Sequence, residues 1–374
     1  MIFSRADILL PSPSVDLTKW SVIACDQHSS EPEYWDALDR FVGNAPSSLR
    51  MILPEAYLSR DISNSAASIH AVMQKYLDEE LFVSLPSSYV YVERTLASGV
   101  VRKGLVGAVD LNAYDYHAGS VTPIRATEGT VEGRLPPRVA VRREAPLEMP
   151  HIMIFIDDPE DRVFGSLEKG ELLYDFELNA GGGHLKGQRI NGSAADKVDA
   201  AFADLSARAA EKYAGMPPVV MAMGDGNHSL ATAKKCGDRY ALAEIVNIHD
   251  PSISFEPIHR VLFGTDPSDF IRKFGSSVTR FAPEDNYALL ISRTDEFCRD
   301  YIADHGGKVD YIHNDDAAIA MGSREGCAAI LLPALDKATL FDSIVRNGPF
   351  PKKSFSIGHA ADKRYYMECR KLAH

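Results

Sequence analysis

Apolar residues recur at the helical interval in Ile69, Val72, Met73, Tyr76 and Leu77, and again in Val198, Phe202, Leu205 and Ala209, so each stretch predicts an amphipathic helix. The second carries a stop signal, because Gly215 suits a left-handed cap and Pro217-Pro218 cannot continue a helix. Short β-type runs stand at 89–92, 105–109, 152–156, 219–223 and 258–263, several of them continuously apolar as buried strands are. Helical patterns return at 270–274, 287–302 and 340–345, and two further strands are expected at 317–321 and 328–332. The mixture predicts an α/β or α+β architecture of mixed sheets flanked by helices.

A chain of 374 residues exceeds what one core usually organises, so two fused parts are expected. The turn residues Gly264-Thr265-Asp266-Pro267 suggest the division: a main α/β domain at 1–264 and a smaller α+β part at 265–374. Residues 112–147, rich in Gly, Pro and Arg and poor in periodicity, read as one long loop and a place for a ligand.

Composition narrows the functional classes. A net charge of −12 argues against nucleic acid and membrane surfaces as partners and leaves a small anionic molecule bound at a local basic site. Five scattered cysteines with no Cys-x-x-Cys pair predict neither a disulfide framework nor a zinc ribbon, and no dedicated metal cage is evident. With no secretory pattern at the start and no long apolar run, the expected location is cytoplasmic.

The most informative window runs from Val219 to Lys235, where a buried strand enters the turn Gly224-Asp225-Gly226-Asn227-His228-Ser229 and leaves as a helix. Glycines 224 and 226 let the backbone approach a ligand, and free N–H groups at the helix start favour phosphate. Asp225, Asn227, His228 and Ser229 add groups that accept, donate or shuttle protons. The window is neither a Walker loop nor a full Gly-x-Gly-x-x-Gly, and a plain turn with Asp225 or Asn227 as helix cap is the alternative.

A second cluster comprises Arg125, Glu128, Thr130, Arg134, Arg138, Arg142 and Arg143, local basicity that a confined anion site needs. Glu128 in that company is expected to stay ionised and to serve as a base or metal ligand. His259-Arg260 on a strand-like run and Lys353 near the end are further candidates, each equally readable as structural. Asp157-Asp158 marks either a ligand at a strand's carboxyl end or an ordinary turn, and Gly181 to Gly187 reads as a hairpin. Zincin spacing and the Gly-x-Ser-x-Gly elbow are both missing.

Several motifs in a fixed order carry a family resemblance. They are Ile23-Ala24-Cys25-Asp26-Gln27, Glu33-Tyr34-Trp35, Leu53-Pro54-Glu55, Thr127-Glu128-Gly129-Thr130 and Met223 to Ser229, followed by Asn247-Ile248-His249-Asp250, Pro257 to Arg260, Phe355 to Gly358 and Lys363-Arg364-Tyr365-Tyr366. In these the chain resembles bacterial domain-of-unknown-function family 1015 over nearly its whole length, a family whose name implies no activity. The Asp225-Gly226-Asn227-His228 turn is also similar to the phosphate-binding element of the ParB, sulfiredoxin and free-serine-kinase superfamily. There the turn and helix start hold nucleotide phosphates, but the motif arginine is replaced here by Ser229.

The resemblance and the residues together imply a nucleotide- or phosphate-dependent enzyme, phosphotransferase-like, using ATP or another nucleotide with Mg²⁺ on a small metabolite. Glu128, Asp225 and His228 are the expected catalytic residues. Arg125, Thr130, Arg134, Gly224, Gly226, Asn227, Ser229, His259, Arg260 and Lys353 are the expected ligand contacts. A non-catalytic sensor of a small anion, and a hydrolase or lyase acting on a carboxylated metabolite, are the alternatives.

Overall fold

The structure is a computed structural model that describes residues 1–58, 61–276, 278–280, 286–358 and 362–372. Two compact units emerge, one of Met1–Ala126, Thr130–Ile253 and His359–His374, the other of Thr127–Gly129 and Ser254–Gly358. The main division therefore falls at residue 253/254 rather than 264/265, and the chain's end belongs to the first unit. The strand that was expected to close the main domain, Phe255–Phe263, is instead the centre of the second unit's sheet.

In the first unit, eleven strands among the described residues form one mixed sheet. Its path runs Tyr114–Asp115, Ile124–Arg125, Met221–Asp225, Met153–Ile156, Tyr240–Asn247, Val101–Asp110, Phe82–Thr95, His184–Ile190, Leu172–Glu177. The first three strands are mutually parallel, Met153–Ile156 lies antiparallel to Met221–Asp225 and parallel to Tyr240–Asn247, and the pairings beyond are antiparallel.

Alternation along the strands divides the apolar side chains between two layers. Val90, Val92, Val106 and Leu242 join a core with Trp20, Trp35, Ile69 and Met73. Tyr89, Tyr91, Leu105 and Val109 join another with Phe3, Val198, Phe202 and Leu205. The helix Ile62–Asp78 thus serves the first core and Gly192–Lys212 the second, as their spacing predicts.

In the second unit, Cys327–Leu331 and Lys308–His313 flank Phe255–Phe263 antiparallel, Val278–Arg280 extends the sheet and Phe355–Ile357 pairs with the start of the central strand. Leu262, Ala328 and Ile330 pack with Phe270, Cys298 and Tyr301, while Val261, Ala329 and Leu331 face Ala318. The mixed α/β class expected from the sequence is the one observed. Among the described residues no helix is long and apolar enough to cross a membrane.

Two elements differ from expectation for local reasons. Residues 317–321, expected as a strand, lie in the helix Asp315–Gly322: the Asn314 side chain accepts the Ala317 N–H, and Asp315 and Asp316 sit in the first turn, where the helix dipole favours acids. The stretch 112–147, expected as loop, contains the helix Leu135–Arg142, started by Pro136 and Pro137, whose missing N–H groups cost nothing in a first turn.

Gly104 records how closely the sheet packs, because a Cβ there would lie 2.1 Å from Glu244 Oε1, on the carboxylate that also binds Arg364. Gly104→Ala is expected to lower stability by roughly 1–3 kcal/mol through forced repacking. Denaturant melting checks this, and an unchanged midpoint would contradict it.

Candidate functional site

The strand Met221–Asp225 ends at the turn, and the helix Asn227–Cys236 begins one residue later. Gly226 makes that sharp entry possible: its φ of +75° lies in the left-handed region, and a Cβ would stand 3.0 Å from the Ile152 backbone. No side chain caps the helix, and Asp225 Oδ1 accepts only the Gly226 N–H. The helix therefore starts without the side-chain acceptor that usually satisfies its first N–H groups.

Around this start the first unit gathers five ionisable side chains. Lys363 Nζ lies 3.2 Å from Asp225 Oδ2. His151, buried just before the strand Met153–Ile156, places Nε2 3.4 Å from Asp26 Oδ2 and 3.5 Å from Ser229 Oγ. Its Nδ1 is 2.8 Å from the Tyr366 hydroxyl, which also accepts the Cys25 N–H at 3.2 Å. Gln27 donates to Asp26 Oδ1 at 3.0 Å.

Burial opposes charge on both Asp26 and His151, yet their mutual attraction wins. The Asp26 carboxyl, helped by Gln27 and Lys363, is held well below the usual carboxylate range. The His151 imidazole is raised by Asp26 and, less strongly, by Asp225, against an opposing effect of Arg364. Burial, with Cys25 and Asp26 adding to it, pushes the Tyr366 phenol far up, so it stays neutral. The geometry differs from a Ser-His-Asp triad, because Asp26 and Ser229 approach the same ring nitrogen instead of opposite ones.

The expected site residues divide between the units. Gly224, Asp225, Gly226, Asn227, His228 and Ser229 are together at the turn, where His228 is half-buried and its carbonyl accepts the Thr232 hydroxyl. Thr130 Oγ1 and Asn227 Oδ1 are buried polar atoms with no hydrogen-bond partner among the described residues. Arg134 is exposed, and Arg125 is buried with its guanidinium spent on the carbonyls of Thr122 and Pro217.

Glu128, His259, Arg260 and Lys353 belong to the second unit. Arg260 is fully buried against Asp295 at 2.7 and 3.0 Å and donates to the Ile258 and Lys353 carbonyls. His259 accepts the Leu332 N–H at Nδ1 and faces Asp315 through Nε2 at 2.9 Å. Glu128, expected to be ionised, is instead pushed up to about 7 by burial, against the opposing backbone N–H of Ser354 and the charge of Lys353.

Of the acids at the strand end, Asp158 is buried, accepts the Val163 N–H in the first turn of the short helix Arg162–Gly165, and pairs with Arg208 at 3.2 Å. The glycines at 181–183 connect the antiparallel strands Leu172–Glu177 and His184–Ile190, the hairpin that was expected. Reasoning from chemistry along the sequence missed His151, a lone polar residue between Pro150 and an apolar strand. Asp26, Lys363 and Tyr366 were visible only as members of family motifs.

A two-unit mixed α/β protein is thus defined, with an uncapped helix start and two ion pairs at one strand end. The chain belongs to the family described as "Protein of unknown function (DUF1015)", which it matches over residues 7–371. A comparison with curated proteins finds no match.

Among solved structures it is slightly similar to a free serine kinase in complex with AMP, at 8% identity and a TM-score of 0.34, over 70% of this chain and 90% of that one. It is similar to the same extent to a conserved hypothetical protein from Pyrococcus furiosus, at 9% identity and a TM-score of 0.31, over 70% and 93% of the two chains.

The Asp26–His151 pair makes stability depend on pH. A free histidine titrates near ~6.5 and a free aspartate near ~3.9. The His151 contribution is complete below about 6.5 and is lost as pH rises through its raised folded value, whereas that of Asp26 is complete above about 3.9 and is lost as pH falls through its depressed one. The pair therefore stabilises most between about pH 4 and 6.5. In Asp26→Asn the His151 ring, followed by NMR, is expected to titrate below its wild-type midpoint, and an unmoved midpoint would show that the pair is not ionic.

Proposed function

We propose that the first unit binds a phosphate-bearing small molecule at the start of the helix Asn227–Cys236, and that the protein is a phosphotransferase-like enzyme using a nucleotide. The observation that carries this reading is the uncapped helix start with two basic side chains beside it, Lys363 at Asp225 and His151, whose imidazole Asp26 raises, at Ser229. Unfilled N–H groups and the helix dipole attract an anion, and the two basic side chains offset its charge. The unpartnered Asn227 Oδ1 supplies an acceptor for a ligand hydroxyl.

In the transfer, the hydroxyl oxygen of an acceptor forms a bond to the terminal phosphorus while the bond from that phosphorus to its bridging oxygen breaks. The nucleoside diphosphate leaves with the electron pair, and the hydroxyl proton passes to the Asp225 carboxylate. Asp26, locked to His151 and strongly acidic, is the poorer base. His151 and Lys363 stabilise charge on the transferring group. Among the described residues no group of three or more His, Cys, Asp or Glu side chains could hold a metal ion. A Mg²⁺ arriving on the nucleotide would take its oxygen donors from the phosphates and from water, and would offset phosphate charge there while Asp225 remains the base.

Isothermal titration with pyrophosphate and with ATP, each with Mg²⁺, tests the reading. Lys363→Met is expected to weaken binding about 10–100-fold, the loss of one charge-assisted contact. Asp225→Asn removes a negative charge and is expected to bind at least as tightly as wild type, while any transfer rate falls about 100-fold or more. No saturable binding to the wild type would overturn the proposal, and so would full binding by Lys363→Met.

A further inference from the structure

A cavity of about 130 Å³ opens in the first unit, and His151, Ser229 and Tyr366 are part of its wall. It therefore adjoins the helix start through the same three side chains that define the site. The remaining wall is largely apolar, with Met51, Leu53, Met73, Val141, Leu147 and Met149 as its main surfaces.

The charged residues that reach this wall are already paired. Arg138 meets Glu55, and Arg142 meets Glu148 at 2.5 Å and Asp238 at 2.7 Å. Glu148 is satisfied further by Arg370 at 2.6 Å and by the Leu242 N–H at 3.0 Å. Burial pushes the Cys25 thiol up to about 12, so it lines the cavity as a neutral group. A charged group in the apolar part of this wall, away from the His151 end, would find no unpaired counter-charge, and its desolvation there would go unrepaid. The occupant is thus uncharged and apolar in the cavity and polar only at the His151–Ser229 end.

Volume sets its size. An apolar cavity of about 150 Å³ accommodates benzene, so 130 Å³ suits a branched aliphatic or a single aromatic ring. We propose that the cavity holds the apolar group of the acceptor, an uncharged alcohol with up to about six or seven carbons, its hydroxyl lying at the His151–Ser229 end. The inference rests on the phosphate-site reading for the reaction, but the binding of the alcohol does not.

Binding of ethanol, 2-methylpropanol, benzyl alcohol and 1-decanol to the full chain, read by saturation-transfer NMR, tests it. Each added methylene is expected to tighten binding about fourfold up to the size of benzyl alcohol, with no further gain for decanol. Benzylamine, whose ammonium would meet the His151 end, is expected to bind at least tenfold more weakly than benzyl alcohol. Val141→Phe, which narrows the cavity, is expected to weaken benzyl alcohol at least tenfold and to leave pyrophosphate binding unchanged.

Should Val141→Phe not fold, Met149→Ala enlarges the same space and is expected to shift the preference to longer alcohols. Alcohols that do not saturate the wild type, equal binding of charged and neutral probes, or variants with unaltered alcohol preference would each overturn the inference. Pyrophosphate titrated into the same samples separates the two readings: its failure with alcohol binding intact overturns the phosphate site alone.

Discussion

Arg364 holds the candidate site together. Its buried guanidinium binds Glu244 in the middle of the sheet at 2.6 Å, Glu368 four residues on, and the Pro150 carbonyl at 2.6 Å. These contacts fix the C-terminal segment against the residue that precedes His151. They also fix the neighbours of Arg364, so that Lys363 reaches Asp225 and Tyr366 reaches His151. Removing one partner from such a buried set typically costs about 3–5 kcal/mol, because the remaining charge is stranded. The anchor thus ties Lys363 and Tyr366, its neighbours in sequence, to Asp225 and His151, which lie far from it in sequence.

The charge arrangement shows how an acidic chain could present the proposed anion site. Asp26 faces His151 and Asp225 faces Lys363, so each carboxylate at the site has a basic partner. The uncapped helix adds partial positive charge without adding another ionisable group. The site is close to neutral before a ligand arrives, which limits the cost of holding it together in the empty protein.

Much of the architecture was legible because periodicity reports burial directly. The helices at 62–78 and 192–212 and the central strands follow from it, and so does the turn at 224–229, where glycine, polar residues and a change of period coincide. Residues 317–321 were misread because a short alanine-containing apolar run fits either period, and the Asn314-Asp315-Asp316 cap decides it. The partners of the turn could not be read from spacing, since His151, Asp26 and Lys363 converge only through sheet pairing and the Arg364 anchor. The arginines of the basic cluster mislead for the same reason: Arg125, Arg138 and Arg142 are spent on carbonyls and carboxylates within the fold.

Anion binding by the amides at the start of the helix Asn227–Cys236 is the central claim to test. Pyrophosphate titrated into ¹⁵N-labelled full-length protein and followed by amide NMR tests this most directly. The account predicts that the amides of Asn227, His228 and Ser229 move furthest and along one saturating curve. Largest shifts elsewhere, with these three amides unmoved, would contradict it.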